Sequence, residues 1–175
     1  MAYYIKEMTE ADWPEVRRIY QEGMDTNLAT FQSECPTWDE WNSLHLKDYR
    51  LVITEEGGGV LGWAALTAVS GLCIYAGVAE VSVYIAQNRR GRGVGKALLL
   101  ALINCAERCG FWTLQSGIMQ DNTASIRLHE SCGFRMVGYR EKIGRDRFGN
   151  WRNTVLMEKR STSDCVDGVC ICGGG

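Results

Sequence analysis

The 175-residue chain is 46% hydrophobic and 23% charged, with 20 glycines and two prolines, the composition of one globular domain able to bury roughly 70% of its unfolded surface. Lys plus Arg number 19 against 21 for Asp plus Glu, a net charge of −2, which gives counterion-driven nucleic-acid binding no global support. No apolar run has the length of a signal or a membrane span, so the expected location is cytoplasmic, where the eight cysteines do not read as a disulfide framework.

Residues 3–7 read as a short strand, and Thr9 to Asp12 as a capping-box start for a helix with Trp13, Val16, Ile19 and Tyr20 at helical spacing. Residues 25–36 have no sustained period and read as an ordered loop, after which Thr37 caps a short helix with Trp38, Trp41 and Leu44 on one face. Residues 50–54 and 60–67 form a hairpin about EEGGG, and 70–77 lead into the strand AEVSVYIA. A helix is predicted over 94–109 with Ala97, Leu98, Ala101, Leu102 and Cys105 inward, ended by Gly110; a strand follows over 111–117. Asp121 or Asn122 caps a helix through Ser131, closed by Cys132-Gly133, and residues 134–143 and 151–158 make a last hairpin around RDRFGN. The pattern is mixed α/β around one sheet over residues 1–160, with 161–175, STSDCVDGVCICGGG, as a glycine-rich appendage without a period.

Residues 87–96, QNRRGRGVGK, join a strand to a helix, where glycines let backbone N–H groups close around an anion at the helix N-terminus. Neither Walker spacing nor a Rossmann context is present, and the extra arginines suit a multiply phosphorylated ligand. Arg90-Gly91-Arg92-Gly93-Val94-Gly95 after AEVSVYIA resembles the acetyl-CoA loop of Gcn5-related N-acetyltransferases, the GNAT superfamily. Asp121-Asn122, Ser125 to Glu130 and Cys132-Gly133-Phe134 are similar to that family's second cofactor segment. The resemblance implies a GNAT fold: a mixed, mostly antiparallel central sheet splayed at its middle strands and flanked by helices. It implies acetyl-CoA as co-substrate and no obligatory metal, with pyrophosphate at Arg90, Gly91, Arg92, Gly93, Val94, Gly95 and Lys96. The pantetheine arm would lie along Val83, Tyr84 and Ile85, faced by Asn122, Ser125 and His129.

Acetyl transfer to an amine needs the neutral amine and donors for the developing oxyanion. Glu80, an acid among apolar neighbours beside the cofactor loop, is the candidate base, with burial expected to raise its pKa. Glu80 to Ile85 resembles the phosphinothricin acetyltransferase branch, in which that glutamate is the inferred base. The branch similarity takes in Thr26-Asn27, Thr30-Phe31 and Glu34, residues 75–85 and Gly149-Asn150-Trp151. It implies transfer to the α-amino group of a small amino-acid-like antimetabolite of the phosphinothricin, arsinothricin or methionine sulfoximine type, conferring resistance. Asn27, Thr30, Phe31, Tyr75 and Arg152 would bind that acceptor, and a homodimer would complete each pocket with the neighbour's last hairpin.

Two departures stand out. His129 replaces the tyrosine acid of many acetyltransferases; a CoA thiolate, with a pKa near the roughly 8.5 of a cysteine thiol, leaves without a strong acid, so His129 reads as packing or bonding to the cofactor arm. Relatives often carry an arginine before Tyr75, whereas Ser70 to Ile74 contain none, which leaves Arg145, Arg147 or Arg152 to pair with a carboxylate or phosphinate. Cys165, Cys170 and Cys172 form a candidate soft-ion tail without paired CxxC spacing, which is what turns attention to arsinothricin. Two other functions stay open: an acetyl-CoA-binding metal or metalloid sensor, and a protein N-acetyltransferase.

Overall fold

The computed structural model of the protein describes residues 2–162. β1 (Tyr3–Glu7) leads through the Thr9 capping box, in which Asp12 accepts from the Thr9 amide at 2.9 Å, into α1 (Trp13–Asp25). Val16, Ile19, Tyr20, Gly23 and Met24 are the buried face of α1, an i, i+3, i+4 stripe. Thr37 caps α2 (Trp38–Leu44), which buries Trp41; Leu44, expected inward, is instead 62% exposed at the rim of a cavity.

β2 (Arg50–Glu55) and β3 (Val60–Ala68) are nearly continuous buried runs, as strands covered on both faces require. They are followed by β4 (Val78–Ile85), α3 (Val94–Arg108), β5 (Thr113–Met119), α4 (Thr123–Ser131), β6 (Arg135–Arg145) and β7 (Trp151–Arg160). The buried stripe of α3 is Val94, Leu98, Leu99, Leu102, Ile103 and Ala106, so Ala97, Ala101 and Cys105 lie at its flank and not at its centre. The run LLLALI offers several apolar faces, and turning the leucines and isoleucine inward removes more apolar area from water than turning alanine and cysteine inward.

The strands form one sheet in the order β1-β2-β3-β4-β5-β7-β6, antiparallel except for β4 and β5. That parallel pair is joined by α3, the crossover that parallel strands need. Its ladder has three rungs, Val78–Thr113, Ala79–Leu114 and Glu80–Gln115; beyond them both strands continue without facing each other. The sheet is therefore splayed at its centre. Period-two alternation assigns the faces of β4: Ala79 and Val81 enter the core beneath α3, while Tyr84 packs with Trp63, Val52 and Ala65 beneath α1 and α2. No helix among the described residues is long and apolar enough to cross a membrane.

Candidate active site

Two cavities meet where β4 and β5 part. The first, about 540 Å³, is walled by Val83, Tyr84 and Ile85 of β4, by Arg90, Gly91, Gly93, Gly95 and Lys96, and by Ala124, Ser125, Arg127, Leu128 and Ser131 of α4. Gly91 and Gly93 adopt φ of +73° and +80°, and Gly93 is the N-cap of α3, so the loop turns through left-handed conformations that a side chain would strain. A Cβ on either glycine would meet nothing within 4 Å, which makes backbone conformation, not space, the reason for glycine. Gly95 is different: its Cβ would lie 3.3 Å from Leu128 and 3.4 Å from Ile85, where α3, α4 and β4 converge.

Arg90 donates from Nε to the Ile85 carbonyl at 3.1 Å, and Arg89 is held by Glu55 at 2.8 Å, so the loop is anchored at its base. The cleft thus combines a helix N-terminus, the cations Arg90, Lys96 and Arg127, and a strand whose edge toward β5 has no partner strand beyond Glu80, while its other edge stays paired with β3. These residues fit a phosphate-bearing ligand with an extended amide arm. Arg92 is exposed and absent from the wall, while the Val94 side chain, 1% exposed, belongs to the core, so Val94 can serve the loop only through its backbone. Arg127 was missed; Ala124, Arg127, Leu128 and Ser131 fall at i, i+3, i+4 and i+7, the spacing that would have placed it on this face of α4.

The second cavity, about 520 Å³, lies on the α1 and α2 side and includes Tyr20, Thr30, Phe31, Gln32, Trp41, His45, Glu80, Ser82, residues 116–119 and His129. Ala29, Val83, Tyr84, Asn122 and Ser125 line both cavities, so the two communicate along β4 and the start of α4. Glu80 is half-buried on the last rung before the splay, and its Oε2 accepts from Gln115 Nε2 at 3.2 Å. Asn122 caps α4, accepting from the Ser125 amide at 3.2 Å, and donates from Nδ2 to the Leu28 carbonyl at 3.1 Å.

His129 is 3% exposed and set edge-on to Phe134. Its Nδ1 lies 2.8 Å from the Ser125 carbonyl, which fixes the proton there and leaves Nε2 as an acceptor, with no partner among the described residues. Burial pushes its pKa below the usual histidine value, so the ring is neutral. It lines the second cavity and not the first, and its Nε2 can accept but not donate a proton. His45, donating to the Trp41 carbonyl and stacked 4.0 Å from that indole, is also pushed down by burial. Burial raises Tyr20 to about 12 and pushes Tyr84 higher still, so both phenols stay protonated. Tyr84 is fixed between a stacked Trp63 at 4.8 Å and an edge-on Tyr20 at 4.7 Å.

Thr30 and Phe31 come to the second cavity, whereas Asn27, Tyr75 and Arg152 do not. Tyr75 sits 45% exposed on a 3-10 turn, Cys73–Tyr75, outside both cavities. Asn27 donates to Asp146, and the Arg152 guanidinium is taken up by Asp121, Asp146 and the Asn27 carbonyl. Arg147 donates to the Met24 carbonyl and Arg145 lies 4.4 Å over the Trp151 ring, so Arg145, Arg147 and Arg152 each have a partner within the fold. Among the described residues no group of three His, Cys, Asp or Glu side chains is placed to hold a metal ion; Cys165, Cys170 and Cys172 lie outside them.

Residues 5–134 match the profile of the acetyltransferase (GNAT) family. The chain is 35% identical to a phosphinothricin N-acetyltransferase of Alcaligenes faecalis over 161 residues, 89% of this chain and 81% of that protein. It is 28% identical to an L-methionine sulfoximine/L-methionine sulfone acetyltransferase of Salmonella typhimurium, covering 92% of this chain and 96% of the relative. Among solved structures, a GNAT superfamily phosphinothricin acetyltransferase from Sinorhizobium meliloti in complex with acetyl-CoA superposes with a TM-score of 0.81 at 27% identity, covering 91% of this chain and 89% of that one. A cleft built around a glycine-rich helix start, opening between splayed parallel strands, accords with that profile, and the chain belongs to the acetyltransferase (GNAT) family.

Proposed function

We propose that the protein, through an acetyltransferase domain spanning residues 1–160, moves the acetyl group of acetyl-CoA to the α-amino group of a small amino-acid-like acceptor by direct attack in a ternary complex. Bound acetyl-CoA supplies the activated thioester. Arg90, Lys96 and Arg127 hold its phosphates with the amides at the start of α3, and Val83 to Ile85 align its amide arm. Glu80 takes the proton of the acceptor amine through Oε1 or Oε2. The carrying observation is the place of Glu80: on the last paired rung, in the wall of the cavity that joins the cofactor cleft. The names of the relatives support acceptors of the phosphinothricin and methionine sulfoximine type; arsinothricin is our own extension of that class.

In this reading the enzyme is a cytoplasmic homodimer. Met136, Val137, Tyr139 and Ile143 are exposed along β6, an edge strand, and Phe148 and Trp151 continue the apolar patch onto the hairpin end. The second cavity has no Lys or Arg among its described lining residues, so a neighbouring subunit is the natural source of a cation for the acceptor carboxylate. The test is release of free thiol from acetyl-CoA with phosphinothricin, arsinothricin, methionine sulfoximine and methionine sulfone, alongside sedimentation equilibrium. Saturable release with at least one of them, from a dimer, is expected; no release above hydrolysis with any acceptor overturns the activity, and a monomer overturns the assembly.

A further inference from the structure

The segment between α1 and α2 has neither helix nor strand, yet its residues Ala29 to Gln32 wall the acceptor cavity. A loop that shapes a site must be held from outside, and here the hold comes from the β6–β7 hairpin. The Asp146 carboxylate, in a residue 8% exposed, is filled from three directions. Its Oδ1 accepts from the amides of Phe148 and Asn150, both at 3.0 Å, which shapes the hairpin turn. Its Oδ2 accepts from Asn27 Nδ2 at 3.0 Å and from Arg152 Nη1 at 3.3 Å. Arg152 then donates to the Asn27 carbonyl at 2.7 Å and, through Nη2, to both oxygens of Asp121 at 2.7 and 3.0 Å. Asn27 itself has φ of +55°, a left-handed conformation that needs such local bonding to persist in a residue other than glycine.

Two further contacts run the same way. Arg147 donates to the Met24 carbonyl at the end of α1, and a Cβ on Gly144 would lie 3.0 Å from the Phe31 ring, so the ring rests on the bare backbone of β6. Asp121 precedes Asn122, whose side chain binds the Leu28 carbonyl across the cleft. The Arg152 guanidinium therefore ties the acceptor loop to the turn that starts α4, the two walls between which an acceptor must fit.

We propose that Asp146 and Arg152 are positioning residues for acetyl transfer: acting through Asn27, they set the placement of Thr30 and Phe31 against Glu80. This rests on the second cavity being the acceptor chamber, and it concerns residues that touch neither cavity. Misplacing a wall by about an ångström can cost up to a hundredfold in turnover. A role confined to fold stability would lower the active fraction and leave both KM values alone.

The test uses the full chain, carrying Asp146→Asn, Arg152→Lys or Asn27→Gly, in steady-state kinetics with acetyl-CoA and the best acceptor of the panel. Asn27→Gly keeps the left-handed backbone and removes only the amide arm, so it reports on the contact even if the buried-charge variants fold poorly. The expected result is an acceptor KM raised by about tenfold or more in Asn27→Gly and Asp146→Asn, with acetyl-CoA KM moving by less than about threefold. Unchanged acceptor KM in a folded Asn27→Gly variant overturns the inference, as does an equal rise in both KM values. Failure of the wild-type enzyme to acetylate any panel member counts against the acceptor chamber itself, a separate outcome from loss of the positioning effect in an active enzyme.

Discussion

Glu80→Gln removes the proposed base and little else. The glutamine has the same length, and its amide oxygen can still accept from Gln115 Nε2, the 3.2 Å contact that holds the carboxylate, so the last rung between β4 and β5 is kept. Glu80 is half-buried and outside the cofactor cleft, so stability should change by no more than about 0.5 kcal/mol and acetyl-CoA KM should hold. What is lost is proton acceptance from the attacking amine. A positioned general base is worth about 10²–10⁴-fold in rate, which at 1.36 kcal/mol per tenfold is about 3–5 kcal/mol of barrier.

The expected outcome is a kcat reduced by that factor at saturating acetyl-CoA, read as free thiol, with melting temperature and acetyl-CoA KM at wild-type values. The deficit should shrink as pH approaches the pKa of the acceptor, because the neutral amine then forms without help. A folded Glu80→Gln enzyme with wild-type kcat would refute the assignment of the base. So would a loss confined to acetyl-CoA KM, since that would move the residue's role to the cofactor.

Gly93→Ala forces a side chain into φ of +80°, at a strain of about 1–2 kcal/mol, and should raise acetyl-CoA Kd by about tenfold in calorimetry while leaving the acceptor KM near wild type. Gly23→Ala gains about 1 kcal/mol of helix propensity, but its Cβ would sit 2.6 Å from the Tyr84 ring, a residue common to both cavities; melting temperature should fall and both KM values rise. His129→Phe tests the acid limb of stability: burial depresses the native pKa of His129 and His45, so below about 6.5 the unfolded chain takes up protons that the native chain does not, and stability falls with pH. Removing one of the two depressed histidines should flatten the slope of denaturation free energy as pH falls below about 6.5, and an unchanged slope would show that His129 does not contribute to it.

Most of the fold was legible because its signals are local. The Thr9 and Thr37 caps, the EEGGG turn and the Cys132-Gly133 stop each declare a boundary within four residues, and each falls where the structure has one. The inner face of α3 was legible only in part: Leu98 and Leu102 are buried as expected, but Leu98 to Ile103 is apolar throughout, and periodicity cannot choose the whole stripe when nearly every position qualifies. Leu44 misled for the opposite reason, since a seven-residue helix offers too few turns to show that its last apolar residue faces a cavity.

The site divides along the same line. The glycine loop carries its conformation in its own residues, so Gly91 and Gly93 could be placed from sequence. Arg152 could not, because what decides its role lies elsewhere in the chain: the Asn27 carbonyl is 125 residues away and the Asp121 carboxylate 31. An arginine on a hairpin near a substrate pocket is equally ready to bind a ligand carboxylate or one from its own fold, and local composition is the same in both cases. The choice is made by topology. The antiparallel pairing of β5 with β7 sets Met119 opposite Thr154, which brings Asp121 and Arg152 to one end of the sheet, and the left-handed turn at Asn27 delivers its carbonyl there. With two carboxylates and that carbonyl already in place, the guanidinium is satisfied within the fold, and drawing it toward a ligand would leave Asp146 buried with its charge unpaired.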